Sequence, residues 1–147
     1  PTNITARGGM HVASCLAGIS FLKGLGFVHA ISHMVGAEFN THHGNTNAIL
    51  LPVILRFNLP GMEEKVRRMA EAMEIPDHSV AGFIAAIEAI LDEIHIPKSL
   101  SEIGVPLDCA ERIAIKALTD SAAKTNPRLA SLDEIRALIE TAIKKAR

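Results

Sequence analysis

The segment Gly24–Gly36, which reads GLGFVHAISHMVG, follows a first helical pattern and contains two histidines close together. Its first glycines follow an apolar stretch, and glycine is the usual residue at which a helix ends. A short helix is predicted from about Phe27 to Val35. His29 and His33 are four positions apart in it, so both imidazoles are expected on one face, one helical turn from each other.

The chain on both sides of this segment is also predicted to be helical. An irregular stretch is expected over 36–44, and helical spacing of apolar residues then recurs. Two capping boxes, Asp108 with Glu111 and Ser131 with Glu134, are predicted to begin the last two helices. No segment shows the alternation of a strand. The predicted fold is all-α, a multi-helix bundle of about seven helices. The predicted ranges are close to 5–22, 27–35, 46–58, 62–73, 80–94, 108–119 and 131–145.

The first of these helices has apolar residues at helical spacing and few polar positions. Met10, Ala13, Ala17 and Phe21 mark the pattern. A helix of this composition is predicted to be buried on most sides.

The two cysteines, Cys15 and Cys109, are too few and too far apart to indicate a disulfide framework. Cys15 lies in an apolar run and is predicted to be a small buried side chain. No secretion signal is visible, and a reduced, cytoplasmic protein is expected. The apolar runs over 12–22 and 48–55 are shorter than the roughly 20 residues that span a bilayer, so no membrane partner is expected.

The length and charge of the chain limit its class. A chain of 147 residues predicts one domain, and 48% apolar residues exclude a disordered protein. The net charge of -1, with both signs interspersed, gives no reason to expect a nucleic-acid partner. The apolar content is high for a soluble domain and indicates either deeply buried helices or a surface that meets a partner.

Four of the seven histidines lie close together in the sequence, at His29, His33, His42 and His43. Imidazole is a common ligand of zinc and iron because its neutral nitrogen donates a lone pair. Two rings on a helix and one from the following loop can form a metal cluster, although an isolated pair at this spacing is more often structural. His42 is interpreted as a loop residue.

The segment Gly24–Gly36, followed by His43-Gly44 and by Asn47–Pro52, resembles the signature of the iron-containing alcohol dehydrogenases. Shorter matches lie before and after it in the same order as in that family, so the resemblance covers essentially the whole chain. The shorter matches are Ala6-Arg7, Ala13-Ser14, Ala17-Gly18, Ile96-Pro97, Ser99-Leu100, Ile103–Val105, Ala117-Leu118, Asp120 and Thr125–Arg128.

The resemblance implies a fold and a set of site residues. Residues 1–147 would form the C-terminal metal-binding helical domain of the dehydroquinate synthase-like type, and the N-terminal nucleotide-binding domain would lie outside the chain. In this family an Asp and three His hold a divalent metal, Fe²⁺ or alternatively Zn²⁺. His29 and His43 match the last two ligands, and the first two are expected upstream of Pro1. His33 matches a histidine close to the nicotinamide and the substrate, and it is assigned here as both catalytic and cofactor-binding.

The resemblance also implies an activity and partners. The complete enzyme would oxidise small alcohols or reduce aldehydes by metal-assisted hydride transfer with NAD or NADP. Its partners would be the small alcohol or aldehyde, its own nucleotide-binding domain and further copies of itself in a homo-oligomer. The isolated chain is expected to be inactive and to bind divalent metal weakly. Ala122 stands where many members carry a cysteine near the cofactor.

Two alternatives stay open from the sequence. One is a relative of the same fold, a maleylacetate reductase or a transhydrogenase. The other is a stand-alone helical metal-binding protein without catalysis. The alcohol, the choice between NAD and NADP, and the choice between iron and zinc are not readable from these residues.

Overall fold

Seven α-helices joined by short turns make up the computed structural model, which describes residues 2–147. No strand occurs within this range, so the all-α prediction is confirmed. The helices are α1 (Ile4–Ser20), α2 (Gly26–Phe39), α3 (His43–Asn58), α4 (Glu63–Ala72), α5 (Val80–Glu93), α6 (Ala110–Thr119) and α7 (Leu132–Lys145). Short 3-10 turns lie at Phe21–Lys23, Ser101–Ile103, Leu107–Cys109 and Ser121–Thr125.

The main core lies between α2, α3, α6 and α7. Ile31, Ile49, Ile113 and Ile139, one from each of these helices, are fully buried in a single apolar cluster. Burying a side chain of this size contributes about 1.5–3 kcal/mol. The two helices that carry the clustered histidines, α2 and α3, therefore belong to the larger of the two apolar clusters.

A smaller apolar cluster joins α4 and α5 to the C-terminal end of α3. Val66 and Ala70 of α4 pack with Phe83 and Ile84 of α5, and Leu59 connects them to α3. This cluster contains none of the histidines that the sequence singled out.

The beginning of α2 is held by residues about a hundred positions away. Thr125 Oγ1 accepts hydrogen bonds from the backbone N–H groups of Leu25 and Gly26 at 3.1 and 3.3 Å, and Asn126 Oδ1 accepts one from Phe27 at 3.1 Å. These bonds satisfy amide groups that a helix start leaves without partners. Gly24 has a φ of 96°, and a Cβ there would overlap the Thr125 side chain, so only glycine fits this close approach.

The region after His33 differs from the prediction. α2 continues through Gly36 to Phe39 and ends at Asn40, which is left-handed with a φ of 52°. Gly36 does not end the helix, because an interior glycine costs only about 1 kcal/mol relative to alanine. α3 begins at His43, so a turn of 40–42 replaces the predicted irregular stretch over 36–44.

One of the two predicted capping boxes is present. The Ser131 hydroxyl accepts from the Glu134 N–H, and the Glu134 carboxylate accepts from the Ser131 N–H, as predicted. The box at Asp108 and Glu111 is wrong. A 3-10 turn occupies Leu107–Cys109, and α6 begins at Ala110 after Cys109, which provides no side-chain cap.

The prediction for α1 is also wrong. No residue of α1 is buried, and Leu16, Ile19 and the adjoining Leu22 are 61%, 60% and 91% exposed. Cys15, predicted to be buried, is exposed, whereas Cys109 is buried. Apolar residues on every side of a helix are typical of one that packs against neighbours, but residues 2–147 do not cover α1.

Within residues 2–147 no single helix is long and apolar enough to cross a membrane. One pair, Ile4–Lys23 with Gly26–Phe39, reaches the necessary length and composition together, with a bend of 101° between its members.

Candidate metal centre

Three of the clustered histidines form a triangle between α2 and α3. His29 and His33 lie one turn apart on α2, and His43 is the first residue of α3. The ring centroids are 5.7 Å apart for His29 and His33, 5.3 Å for His29 and His43, and 5.7 Å for His33 and His43. The short turn at 40–42 brings α3 back beside α2, which closes the triangle.

The nitrogens of His29 and His43 converge on one point. Nδ2 of Asn47, one turn after His43 on α3, lies 3.3 Å from His29 Nε2 and 3.0 Å from His43 Nε2. Both Nε2 atoms therefore lie within hydrogen-bond distance of one side-chain nitrogen. The metal role of His29 and His43 stays a prediction.

His33 has a different partner. Its Nδ1 lies 3.2 Å from Oδ2 of Asp120, which follows α6. The Asp120 side chain is 14% exposed, and its Oδ1 accepts from the backbone N–H of Ala122 at 2.7 Å. A carboxylate in this position accepts a hydrogen bond from Nδ1–H and leaves Nε2 of His33 with its lone pair. His33 is thus set apart chemically from the other two rings.

The surroundings of His29 keep its ring neutral. Burial lowers the pKa of His29, and the neighbouring His43 and His33 lower it further because two cations would repel. The ring edge of Phe21 also contacts it, with centroids 5.8 Å apart. Neutral imidazole is the form that binds a metal.

The donor set fits part of a metal site. Protein metal sites usually have three or four protein ligands, and no group of three or more His, Cys, Asp or Glu in metal-binding geometry occurs within residues 2–147. Two imidazole nitrogens lie beside Asn47, whose Oδ1 is buried without a hydrogen-bond partner among the described residues. An ion here needs further ligands.

His42 lies outside the triangle. It precedes α3, and its Nδ1 accepts from the backbone N–H of Asn45 at 3.3 Å, so it caps the helix. This agrees with its interpretation as a loop residue.

Sequence reasoning quoted Asn47 and Asp120 in the resemblance but gave neither of them a role in the centre. Asn47 is four positions after His43, so its place on the same face could have been recognised. Asp120 could not, since it is distant in the sequence from His33 and only the packing of α6 on α2 brings them together.

Comparison with known proteins gives one family. The C-terminal model of the Fe-containing alcohol dehydrogenase family matches residues 1–143. The 1-propanol dehydrogenase of Salmonella typhimurium is 38% identical over 93% of this chain and 40% of its own length. The NAD-dependent methanol dehydrogenase of Bacillus methanolicus is 33% identical over 96% of this chain and 39% of its own length.

A solved structure shows the same arrangement of helices. The crystal structure of a 1,3-propanediol oxidoreductase superposes with a TM-score of 0.91 at 38% identity, covering 97% of this chain and 39% of that one. The chain thus spans about two-fifths of the length of each of these three proteins.

Proposed function

Because this chain belongs to the Fe-containing alcohol dehydrogenase family, we propose that it forms the metal-binding helical part of an NAD(P)-linked alcohol dehydrogenase. Residues 1–147 act in this proposal as a C-terminal domain whose partner is a nucleotide-binding domain of the same enzyme. The observation that carries the proposal is the convergence of His29 Nε2 and His43 Nε2 on one point.

His29 and His43 are the residues that would hold the ion. Ligands from outside this chain would complete its coordination. A divalent ion bound there would supply Lewis-acid chemistry, polarising a substrate hydroxyl and stabilising its deprotonated form. The family name favours Fe²⁺, with Zn²⁺ as the alternative because both accept imidazole nitrogen. The lowered pKa of His29 supports the role, since a neutral imidazole is the form that binds a metal.

His33 is the residue of this chain that we assign to the reaction. With Nδ1–H donated to Asp120, its Nε2 can accept a proton from a substrate hydroxyl or from water. Its ring lies within 6 Å, centroid to centroid, of both proposed ligands, at 5.7 Å from each. We therefore assign His33 to proton transfer beside the ion, with its Nδ1 engaged by Asp120.

The substrate class and the nicotinamide follow from the relatives. Those described above are named for small alcohols, and one of them is named NAD-dependent. We therefore propose a small primary alcohol or the matching aldehyde as substrate, with NAD as the first cofactor to test and NADP as the second.

A chimaera tests the proposal. The C-terminal part of the Salmonella typhimurium 1-propanol dehydrogenase that this chain matches is replaced by residues 1–147. The purified chimaera is expected to hold about one divalent ion per chain and to form NADH from 1-propanol and NAD. His29→Ala and His43→Ala are each expected to lose the ion and the activity.

Two comparisons make the result specific. His78→Ala removes an exposed histidine away from the centre and should keep both the ion and the activity. The 147-residue chain alone should form no NADH and should release metal on gel filtration. A folded chimaera that keeps its ion and its activity in both ligand variants would contradict the proposal, as would tightly held stoichiometric iron in the chain alone.

A further inference from the structure

Asn47 connects the two proposed metal ligands directly. Its Nδ2 is within hydrogen-bond distance of Nε2 of His29 on α2 and of Nε2 of His43 on α3, at 3.3 and 3.0 Å. An amide nitrogen carries two hydrogens and no lone pair that accepts, so it can donate one bond to each ring. One side chain thus occupies both of the nitrogen lone pairs that a shared ion would use.

These bonds determine where each ring carries its proton. A neutral imidazole has one N–H and one lone pair, and a nitrogen that accepts from Asn47 cannot be the protonated one. His29 and His43 are therefore both protonated at Nδ1, with the Nε2 lone pairs directed at a common point. This is the tautomer in which Nε2 can bind a metal.

The other end of the amide has no partner. Asn47 Oδ1 is buried and accepts no hydrogen bond from any of residues 2–147. A buried carbonyl without a hydrogen-bond partner is unfavourable. The oxygen of Asn47 therefore does not stabilise the position of this side chain. The contacts that fix it are the two made by its nitrogen.

We propose that Asn47 is a positioning residue that occupies the metal-binding lone pairs of His29 and His43 and is displaced when an ion binds; this rests on the metal role proposed above. It holds both rings in the ligand tautomer while the chain is free of metal. A lone pair cannot serve the amide and an ion at once, so these two bonds stabilise the metal-free form only. By linkage they weaken metal binding at equilibrium.

Nitrogen NMR spectra of the imidazole rings in the metal-free 147-residue chain test whether Asn47 sets the tautomer of His29 and His43. The rings are observed in ¹⁵N-labelled protein above the histidine titration range, with signals assigned by single His→Gln variants. Both His29 and His43 are expected to be protonated at Nδ1. Asn47→Ala should move both rings toward the Nε2–H form, whereas the matched variant Asn45→Ala, on the same helix, should not.

A zinc titration followed on the same nitrogen signals tests whether Asn47 competes with a metal ion for the two Nε2 atoms. Asn47→Ala is expected to bind Zn²⁺ roughly ten-fold more tightly than the wild type, as the loss of two competing hydrogen bonds predicts. Asn45→Ala should bind as the wild type does. If Asn47→Ala does not fold, Asn47→Ser, which keeps a small polar side chain, takes its place in both measurements.

Three results would overturn the inference. The first is Nε2–H on both rings of the wild type, which would mean that Asn47 presents its oxygen. The second is an unchanged tautomer in Asn47→Ala, and the third is unchanged or weaker zinc binding by that variant. Zinc that leaves both Nε2 signals unaffected in every variant would instead contradict the proposed function, while the spectra of the metal-free chain still decide whether Asn47 sets the tautomer.

Discussion

His29 shows how single residues define the centre. It is half-buried, it contacts both other rings, and the pKa of its imidazole is lowered first by burial and then by His43 and His33. The positions of His29 and His33 on one helix face were predictable from their spacing, because the period of the helix is fixed. The pairing of His33 with Asp120 was not, since it depends on how α6 packs on α2.

The lowered pKa of His29 predicts how the stability of the metal-free chain changes with pH. Below the ordinary histidine pKa of 6.5 the unfolded chain takes up a proton that folded His29 resists. The free energy of unfolding should therefore fall as the pH is lowered through that value. In His29→Gln, the free energy of unfolding should fall less as the pH is lowered. Urea titrations at a series of pH values measure this fall. The exposed His78→Gln is the control, and identical pH dependence in the two variants would contradict the cause given for the shift.

Asp120 is expected to act through His33. In the chimaera, Asp120→Asn should lower kcat about 100-fold, the usual scale of a lost proton-transfer group, because an amide can donate to Nδ1 and favour the opposite tautomer. The metal content should stay unchanged, since Asp120 is bonded to His33 and Ala122 and not to His29 or His43. Steady-state kinetics and metal analysis of the same preparation check this. Loss of the ion with the activity would show that Asp120 has a structural role instead.

At the scale of the elements, the precision of the centre depends on how α2 begins. Gly24 and Gly26 predicted a break at this place, and both have positive φ, at 96° and 70°. The residues that cap the new helix, Thr125 and Asn126, belong to a distant turn, so no local pattern could reveal them. Capping boxes are local by definition, yet only one of the two was correct, because a 3-10 turn at Leu107–Cys109 takes the place of the other.

Asn126 allows a test of this cap. Its side chain bonds the Phe27 N–H, exchanges two bonds with Asn58 and donates to the Arg128 carbonyl. Asn126→Ala should lower the free energy of unfolding by about 2–3 kcal/mol, because it removes a helix cap and leaves buried groups unpaired. Urea denaturation followed by circular dichroism measures it. Lys124→Ala, an exposed neighbour, should change stability by less than about 0.5 kcal/mol, and an equal loss in both variants would contradict the capping role.

At the scale of the whole molecule, α1 is the feature that residues 2–147 leave without a neighbour. Its composition predicted burial on most sides, and this prediction was wrong, since no residue of α1 is buried within residues 2–147. The rest of the bundle was predictable because its apolar spacing is satisfied inside the chain, on α2, α3, α6 and α7. Periodicity reveals that a face will be covered, and it does not reveal by what.

The exposed apolar side chains of α1 should make the isolated chain self-associate. Sedimentation velocity over a range of concentrations is expected to show reversible oligomers. Replacing Leu16 and Ile19 by Glu, at 61% and 60% exposure, should shift the chain toward monomer. Ile115→Glu changes an exposed isoleucine of α6 in a matched way and should leave association unchanged. A wild-type chain that stays monomeric at high concentration would contradict this prediction.

The most direct measurement of the central claim is the position of the metal. Crystals of the chimaera grown with zinc should give an anomalous difference peak between His29 and His43. The peak is expected about 2.0–2.1 Å from Nε2 of each ring, the usual length of a zinc–imidazole bond, with Asn47 no longer bonded to either. A peak elsewhere, or both Nε2 atoms still bonded to Asn47, would contradict the account.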